Sequence, residues 1–163
     1  MNTLALCLCG SGETYPECCA VYHTGEQQAP TAETLMRSRF TAFAMRNEHY
    51  LLATWDTTKR PQTINFSKDE TIWQRLEIVN TKKGGISDSK GIVEFRAYYQ
   101  LNNNDYVMKE ISRFRKEQGQ WLYLDGAVKS VEKADQKSNT GRNAACPCGS
   151  GKKFKRCCGK REN

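Results

Sequence analysis

Gly91-Ile92-Val93-Glu94-Phe95-Arg96-Ala97-Tyr98-Tyr99-Gln100-Leu101, closed by Asn102-Asn103-Asn104-Asp105, is the stretch on which the fold turns. Val93, Phe95, Ala97, Tyr99 and Leu101 alternate onto one face, the period of a strand with one side buried. The asparagine run has the composition of a hairpin turn. Both flanks extend the pattern. Leu76 and Ile78 alternate in an earlier strand that stops at Lys82-Lys83-Gly84-Gly85, while Tyr106 to Lys116 and Trp121 to Asp125 form later strands divided by a turn around Gly119.

Upstream the period changes. Pro30 and Thr31 suit a helix entry, with Thr31 as N-cap and Glu33 in the first turn. Met36, Phe40, Phe43 and Ala44 then share one helical face; Asn47 interrupts, and Tyr50, Leu51, Leu52 and Trp55 predict a second, shorter helix before Arg60-Pro61. Helices followed by an antiparallel meander give an α+β domain over residues 29–130, with the helices covering the sheet. From Val131 to about residue 141 the composition turns polar and charged, which predicts a tether with a reach of roughly 20 Å.

Cysteine occurs only outside that domain. The last part of the chain holds Cys146-Pro147-Cys148-Gly149-Ser150-Gly151-Lys152-Lys153-Phe154-Lys155-Arg156-Cys157-Cys158, and the start holds Cys7-Leu8-Cys9-Gly10-Ser11-Gly12, then Cys18-Cys19. Each copy places one residue inside the first pair and eight before the second, and together they use all 8 cysteines. Glycines after the first pair let the backbone turn under the sulfurs and offer them amide N–H groups. Four thiolates saturate a tetrahedral metal, so each knuckle predicts one structural zinc, with iron as the rival metal. A disulfide framework would be expected to spread across the fold, whereas these thiols sit in two tight clusters. The knuckles bound the remaining units at residues 1–28 and 142–163.

The first residues carry no basic side chain, and the apolar run Leu4 to Leu8 is broken at once by Gly10-Ser11-Gly12, unlike an export signal. Leu4-Ala5-Leu6-Cys7 is only a faint lipoprotein box, because the run is short and Leu6 is too large. No stretch approaches the ~20 apolar residues of a membrane span. A cytoplasmic, reduced, soluble protein of 163 residues is the expectation.

Formal net charge is +7, and two sites, each of four thiolates and a divalent metal, would bring it to about +3. Its distribution is uneven. Residues 1–28 contain Glu13, Glu17 and Glu26 with no lysine or arginine, whereas Lys152, Lys153, Lys155, Arg156, Lys160 and Arg161 surround the last knuckle, with Phe154 among them. Opposite charges predict different partners for the two knuckles.

Gly141-Arg142-Asn143, the sequence Cys146 to Lys155, and Cys157-Cys158-Gly159 closely resemble the SEC-C motif, the metal-binding tail of the preprotein translocase ATPase SecA. The fourth ligand of that motif is commonly His; here it is Cys158. The resemblance implies zinc or iron, and contacts with the export chaperone SecB or with ribosomes. More broadly, Cys7 to Gly25, Ala29-Pro30-Thr31-Ala32-Glu33, Leu35 to Phe40, Tyr50 to Trp55, Ser112-Arg113-Phe114, and Trp121 with Tyr123-Leu124-Asp125-Gly126 resemble the YchJ family of bacterial proteins. Leu8 stands where that family usually has Pro. The resemblance implies a cone-shaped middle domain of the nuclear transport factor 2-like or SnoaL-like kind, a bent sheet wrapped by helices around a pocket.

Candidate pocket residues are Arg39, Glu110, Ser112, Trp121, Tyr123 and Asp125. Strand alternation puts Glu110 and Ser112 on one face with Phe114, and Tyr123 and Asp125 on one face with Trp121. Carboxylates beside an arginine could do acid–base work, whereas the plainer expectation is that Arg39 pairs with a carboxylate and sets helix against sheet. His23 is a spare ligand beside four sufficient sulfurs, and His49 is expected on the surface. No phosphate loop or nucleophile motif is present. The leading reading is a non-enzymatic metal-binding adaptor whose basic knuckle docks on SecB, a ribosomal surface or a related acidic partner, while the middle domain dimerises or holds a ligand. RNA binding by the basic, Phe-bearing knuckle is one alternative. A pocket enzyme of lyase or isomerase type is the other.

Overall fold

The computed structural model describes residues 5–134. Over that span a 3₁₀ turn (Tyr15–Glu17) and a one-turn helix α1 (Ala20–His23) precede helices α2 (Ala32–Ala44) and α3 (Glu48–Ala53). Four strands follow, β1 (Ile72–Lys83), β2 (Lys90–Leu101), β3 (Asn104–Glu117) and β4 (Gln120–Lys133). They form one antiparallel sheet in the order β1-β2-β3-β4, the expected meander.

Both later hairpins close with two residues in the left-handed region. Asn102 and Asn103 have φ of 52° and 64°, and Gln118 and Gly119 have 51° and 79°. Two such residues supply the turn twist that matches paired strands, so the asparagine run fixes the β2–β3 register. Register shifts in the β1–β2 and β3–β4 ladders add unpaired residues that bend the sheet. It curls around α2, which touches β1, β2 and β4.

Helix α2 begins as its sequence predicts, with Thr31 Oγ1 accepting from Thr34 N at 3.1 Å. Its first turn sits on a glycine seat: Ala32 N donates to Gly84 O at 2.9 Å. A Cβ on Gly84 would stand 2.8 Å from Ala32 Cβ, so only glycine lets helix and sheet approach this closely. Asn47 caps α3 by accepting from Tyr50 N. The core gathers Leu35, Met36 and Phe40 of α2, Tyr50 and Leu51 of α3, and Leu76, Val93, Phe95, Ala97, Phe114 and Trp121 of the sheet.

Two expectations need adjustment. Strand β4 continues to Lys133, and Val131, Glu132 and Lys133 pair with Met108, Val107 and Tyr106. Composition gave these residues to the tether because they bury little, with Val131 52% exposed; the neighbouring ladder nevertheless supplies backbone partners. Phe43 and Ala44 are half-buried, while Ser38, Arg39 and Thr41 are buried. Helix α2 is covered by the sheet on one side and by the N-terminal knuckle on the other.

Candidate metal centre and central cavity

The first knuckle is built by a short loop that folds back on itself. Cys7 N donates to Glu13 O at 2.7 Å, Leu6 bridges Thr14, and Gly10 and Gly12 take φ of 83° and 88°. The positive φ values turn the chain between the bridged residues. Gly10 also rests on β1, where a Cβ would lie 2.7 Å from Leu76 O. The 3₁₀ turn then delivers Cys18 and Cys19 to the same point.

All four Sγ atoms of Cys7, Cys9, Cys18 and Cys19 lie within 4.8 Å of one another. Cys9 to Cys18 is 3.5 Å and Cys18 to Cys19 is 3.9 Å. A tetrahedron with metal–sulfur bonds of ~2.3 Å has edges of about 3.8 Å, so the cluster has the size and donors of a closed four-sulfur site. It could hold a metal ion with no position left open for substrate. Cys7, Cys9 and Cys19 are buried, and all four thiols are free of disulfides.

The surroundings brace the sulfurs. Thr41 Oγ1 of α2 lies 3.5 Å from Cys7 Sγ and 3.4 Å from Cys19 Sγ, Ser11 Oγ is 3.1 Å from Cys18 Sγ, and Arg37 Nη1 donates to Cys9 O. Arg37 is itself steadied by Glu33 at 3.1 Å. Hydrogen bonds from Cys19 and Cys9 hold the Cys7 thiol far below its ordinary value, the same contact with Cys7 pushes Cys19 far up, and burial pushes Cys18 up to about 11. Packed thiols that resist joint ionisation are what a cation at their centre would relieve. His23 serves as a brace and not as a ligand. Its Nε2–H donates to Ser38 O at 2.8 Å, which leaves Nδ1 to accept from Tyr15 Oη at 2.9 Å.

On the far side of α2 the curled sheet lines a half-open cavity of about 210 Å³. Met36, Phe40, Phe43, Trp73, Phe95 and Met108 make its apolar wall, and Arg39, Trp55, Glu110, Ser112 and Tyr123 supply the polar groups. Arg39 is 2% exposed, and its Nη1 donates to Leu51 O and to Thr54 Oγ1, each at 2.8 Å. Its guanidinium lies 4.5 Å from the Tyr123 ring centre and 5.1 Å from that of Trp55. No carboxylate forms an ion pair with it among the described residues. Arg39 therefore ties α2 to the end of α3 through a carbonyl and a hydroxyl, where an ion pair setting helix against sheet was expected; it meets the sheet at the Tyr123 ring. Burial lowers its pKa to about 10, raises that of Glu110, and pushes Tyr123 up to about 12.

Of the six residues expected in the pocket, Arg39, Glu110, Ser112 and Tyr123 converge and two do not. Trp121 is buried in the core, with Nε1 donating to Pro30 O at 3.1 Å. Asp125 faces away and pairs with Arg113 and, at 3.9 Å, with Lys59. A bulge explains this: Tyr123 stands opposite Phe114 and Asp125 opposite Arg113, so Leu124 is an extra residue and the alternation flips there. Sequence reasoning missed Trp55 and Gly126. A Cβ on Gly126 would collide with Glu110 Oε1 and lie 2.9 Å from Tyr123 Oη and 3.0 Å from Ser112 Oγ. A lone glycine in a strand pattern was the available signal. Cys146, Cys148, Cys157 and Cys158, with the basic residues Lys152 to Arg161, lie outside the described residues.

A curled four-stranded sheet around a cavity, with a four-thiol cluster behind its helix, is matched by known families. Residues 31–126 match the model of the YchJ middle NTF2-like domain, and residues 142–160 match the SEC-C motif. This chain belongs to the YchJ family. A UPF0225 protein of Corynebacterium glutamicum is 49% identical over 122 residues, covering 75% of this chain and 96% of that protein. One of Vibrio vulnificus is 39% identical over 166 residues, covering 95% and 99%. Among solved structures, a SEC-C motif containing protein from Rhodopseudomonas palustris superposes with a TM-score of 0.67 at 30% identity, over 76% of this chain and 98% of that one. Another from Psychrobacter arcticus gives 0.60 at 29% identity, over 99% and 92%. Neither the YchJ family nor these relatives is named for an enzymatic activity. The SEC-C match falls on the C-terminal knuckle, while the N-terminal one rests on its own four-thiol geometry. No helix among the described residues is long and apolar enough to cross a membrane.

Proposed function

We propose that this YchJ-family chain is a cytoplasmic metal-binding adaptor holding one zinc per knuckle. In it the acidic first knuckle braces the cone domain, and the basic last knuckle docks on an acidic protein surface such as SecB or the ribosome. The observation that carries the metal reading is the convergence of four free thiols, three of them buried, within 4.8 Å. Such a site supplies rigidity, and no reacting group is left open on it. The docking reading draws on the SEC-C match over residues 142–160 and on the lysines and arginines gathered there. Phe154 would provide apolar contact, the cations orientation, and the metal their register. Self-association would use the outer face of the sheet, where Ile92 is exposed.

The test is metal analysis of the purified protein, followed by binding to purified SecB and to ribosomes across a salt series. Intact chain is compared with a Cys157→Ser, Cys158→Ser form, with and without nuclease. Two zinc equivalents, and salt-sensitive, nuclease-resistant binding by the intact form alone, are expected. Binding abolished by nuclease would identify RNA as the partner instead, and equal behaviour of both forms would overturn docking through this knuckle.

A further inference from the structure

Three features of the central cavity have no use in the metal-binding reading. Ser112, 1% exposed, lines it with a hydroxyl that lies near Glu110 and Tyr123 yet makes no hydrogen bond of good geometry. Trp55, which also lines the cavity, has its Nε1 buried without a partner among the described residues. Buried polar atoms are nearly always satisfied, and one left alone costs about 1–3 kcal/mol. The third feature is Arg39. It is a buried cation at the cavity wall whose hydrogen bonds, among the described residues, all start from Nη1.

The cavity's size and lining restrict what could satisfy these groups. A cavity of ~150 Å³ takes a benzene molecule, so about 210 Å³ suits one ring with a small substituent. Phe40, Phe43 and Trp73 provide aromatic walls for such a ring. A cationic ligand would meet Arg39 with like charge, and a neutral one would leave it, among the described residues, without an anion at ion-pair distance. A phosphate ester would bring more charge than walls this apolar accommodate. Gly126 matters too, because any side chain there would push the Glu110, Ser112 and Tyr123 polar atoms into the space.

We infer that the central cavity is a binding site for a small aromatic carboxylate, its ring against the aromatic wall and its carboxylate held by Arg39, with Trp55 Nε1–H and Ser112 Oγ–H as neutral donors. Glu110 sets the limit on affinity. Its carboxyl shares the cavity with the incoming anion and takes up a proton more readily than an exposed glutamate, because burial raises its pKa.

The test titrates the full, metal-loaded chain with benzoate, benzamide and benzylamine, read by calorimetry. Benzoate binds one per chain and at least about tenfold more tightly than benzamide, the gain of a charge-assisted contact, and benzylamine does not bind. Trp55→Phe and Ser112→Ala each weaken benzoate about fivefold or more, and Glu110→Gln tightens it several-fold by removing the like charge. Circular dichroism and metal content serve as fold controls, and a variant that fails them is replaced in the comparison by the other two. Absence of benzoate binding up to about 10 mM overturns the inference. So does equal affinity for benzoate and benzamide, or affinity unchanged in every folded variant.

Discussion

Asp56 leaves α3 fully buried, and its backbone N–H donates to Tyr123 O at 2.8 Å, clipping the helix exit to the edge of β4. Its carboxylate accepts from Thr58 N at 2.9 Å and Thr58 Oγ1 at 2.6 Å, and it pairs with Arg115 of β3. The Thr58 hydroxyl above all, with Arg115 adding, holds its pKa down to about 2. A depressed carboxylate pKa contributes stability above the unfolded value near 4, and that contribution is lost as pH falls toward 2. Asp56→Asn should therefore cost about 2 kcal/mol at pH 7 and progressively less between about pH 4 and 2. Urea denaturation at pH 7 and pH 3 checks this, and a penalty independent of pH would assign the loss to shape alone. Asp56 was not legible as an anchor, since Thr58 is its one local side-chain partner and Arg115 lies 59 positions away.

At the scale of elements, α2 explains both what sequence periodicity reveals and what it hides. Thr31 as N-cap and the Met36–Phe40 face were legible because cap and period are local signals. The opposite face was not, because Thr41 is polar and its burial comes from Cys7 and Cys19, 34 and 22 positions away. The same holds in the sheet. Glu110 and Ser112 line the cavity, but a one-residue bulge at Leu124 turns Asp125 outward, and no local composition announces it. If the knuckle is one wall of α2, stripping its metal should loosen the helix. Cys9→Ser is expected to cost roughly 3 kcal/mol, a drop of about 10 °C in Tm for a domain of this size, and Cys157→Ser is not. Thermal melts of both variants check this, and equal shifts would refute the bracing role.

Across the whole molecule the two knuckles share a spacing and differ in what surrounds them. The first has no lysine or arginine in residues 1–28 and is tied to α2 and β1 through Thr41, Arg37 and Gly10, so its four thiols belong to the cone domain. The cysteine spacing marked the four-thiol cluster without the structure, because two cysteine pairs only eight residues apart can meet within one short loop. The seat of that site on the domain was invisible for the reason that hid Thr41. A chain ending at Ala134 retains the core, the four-stranded sheet and the four-thiol cluster of the described residues. It should therefore fold, keep one metal equivalent of the two expected for the full chain, and melt within about 3 °C of it, because small shifts are what removal of a separate module allows. Binding to an acidic partner should vanish. Metal analysis and a melt of the truncated protein settle the point: one equivalent with an unchanged transition makes the first knuckle structural, whereas a metal-free or unfolded product would show that the two sites depend on each other.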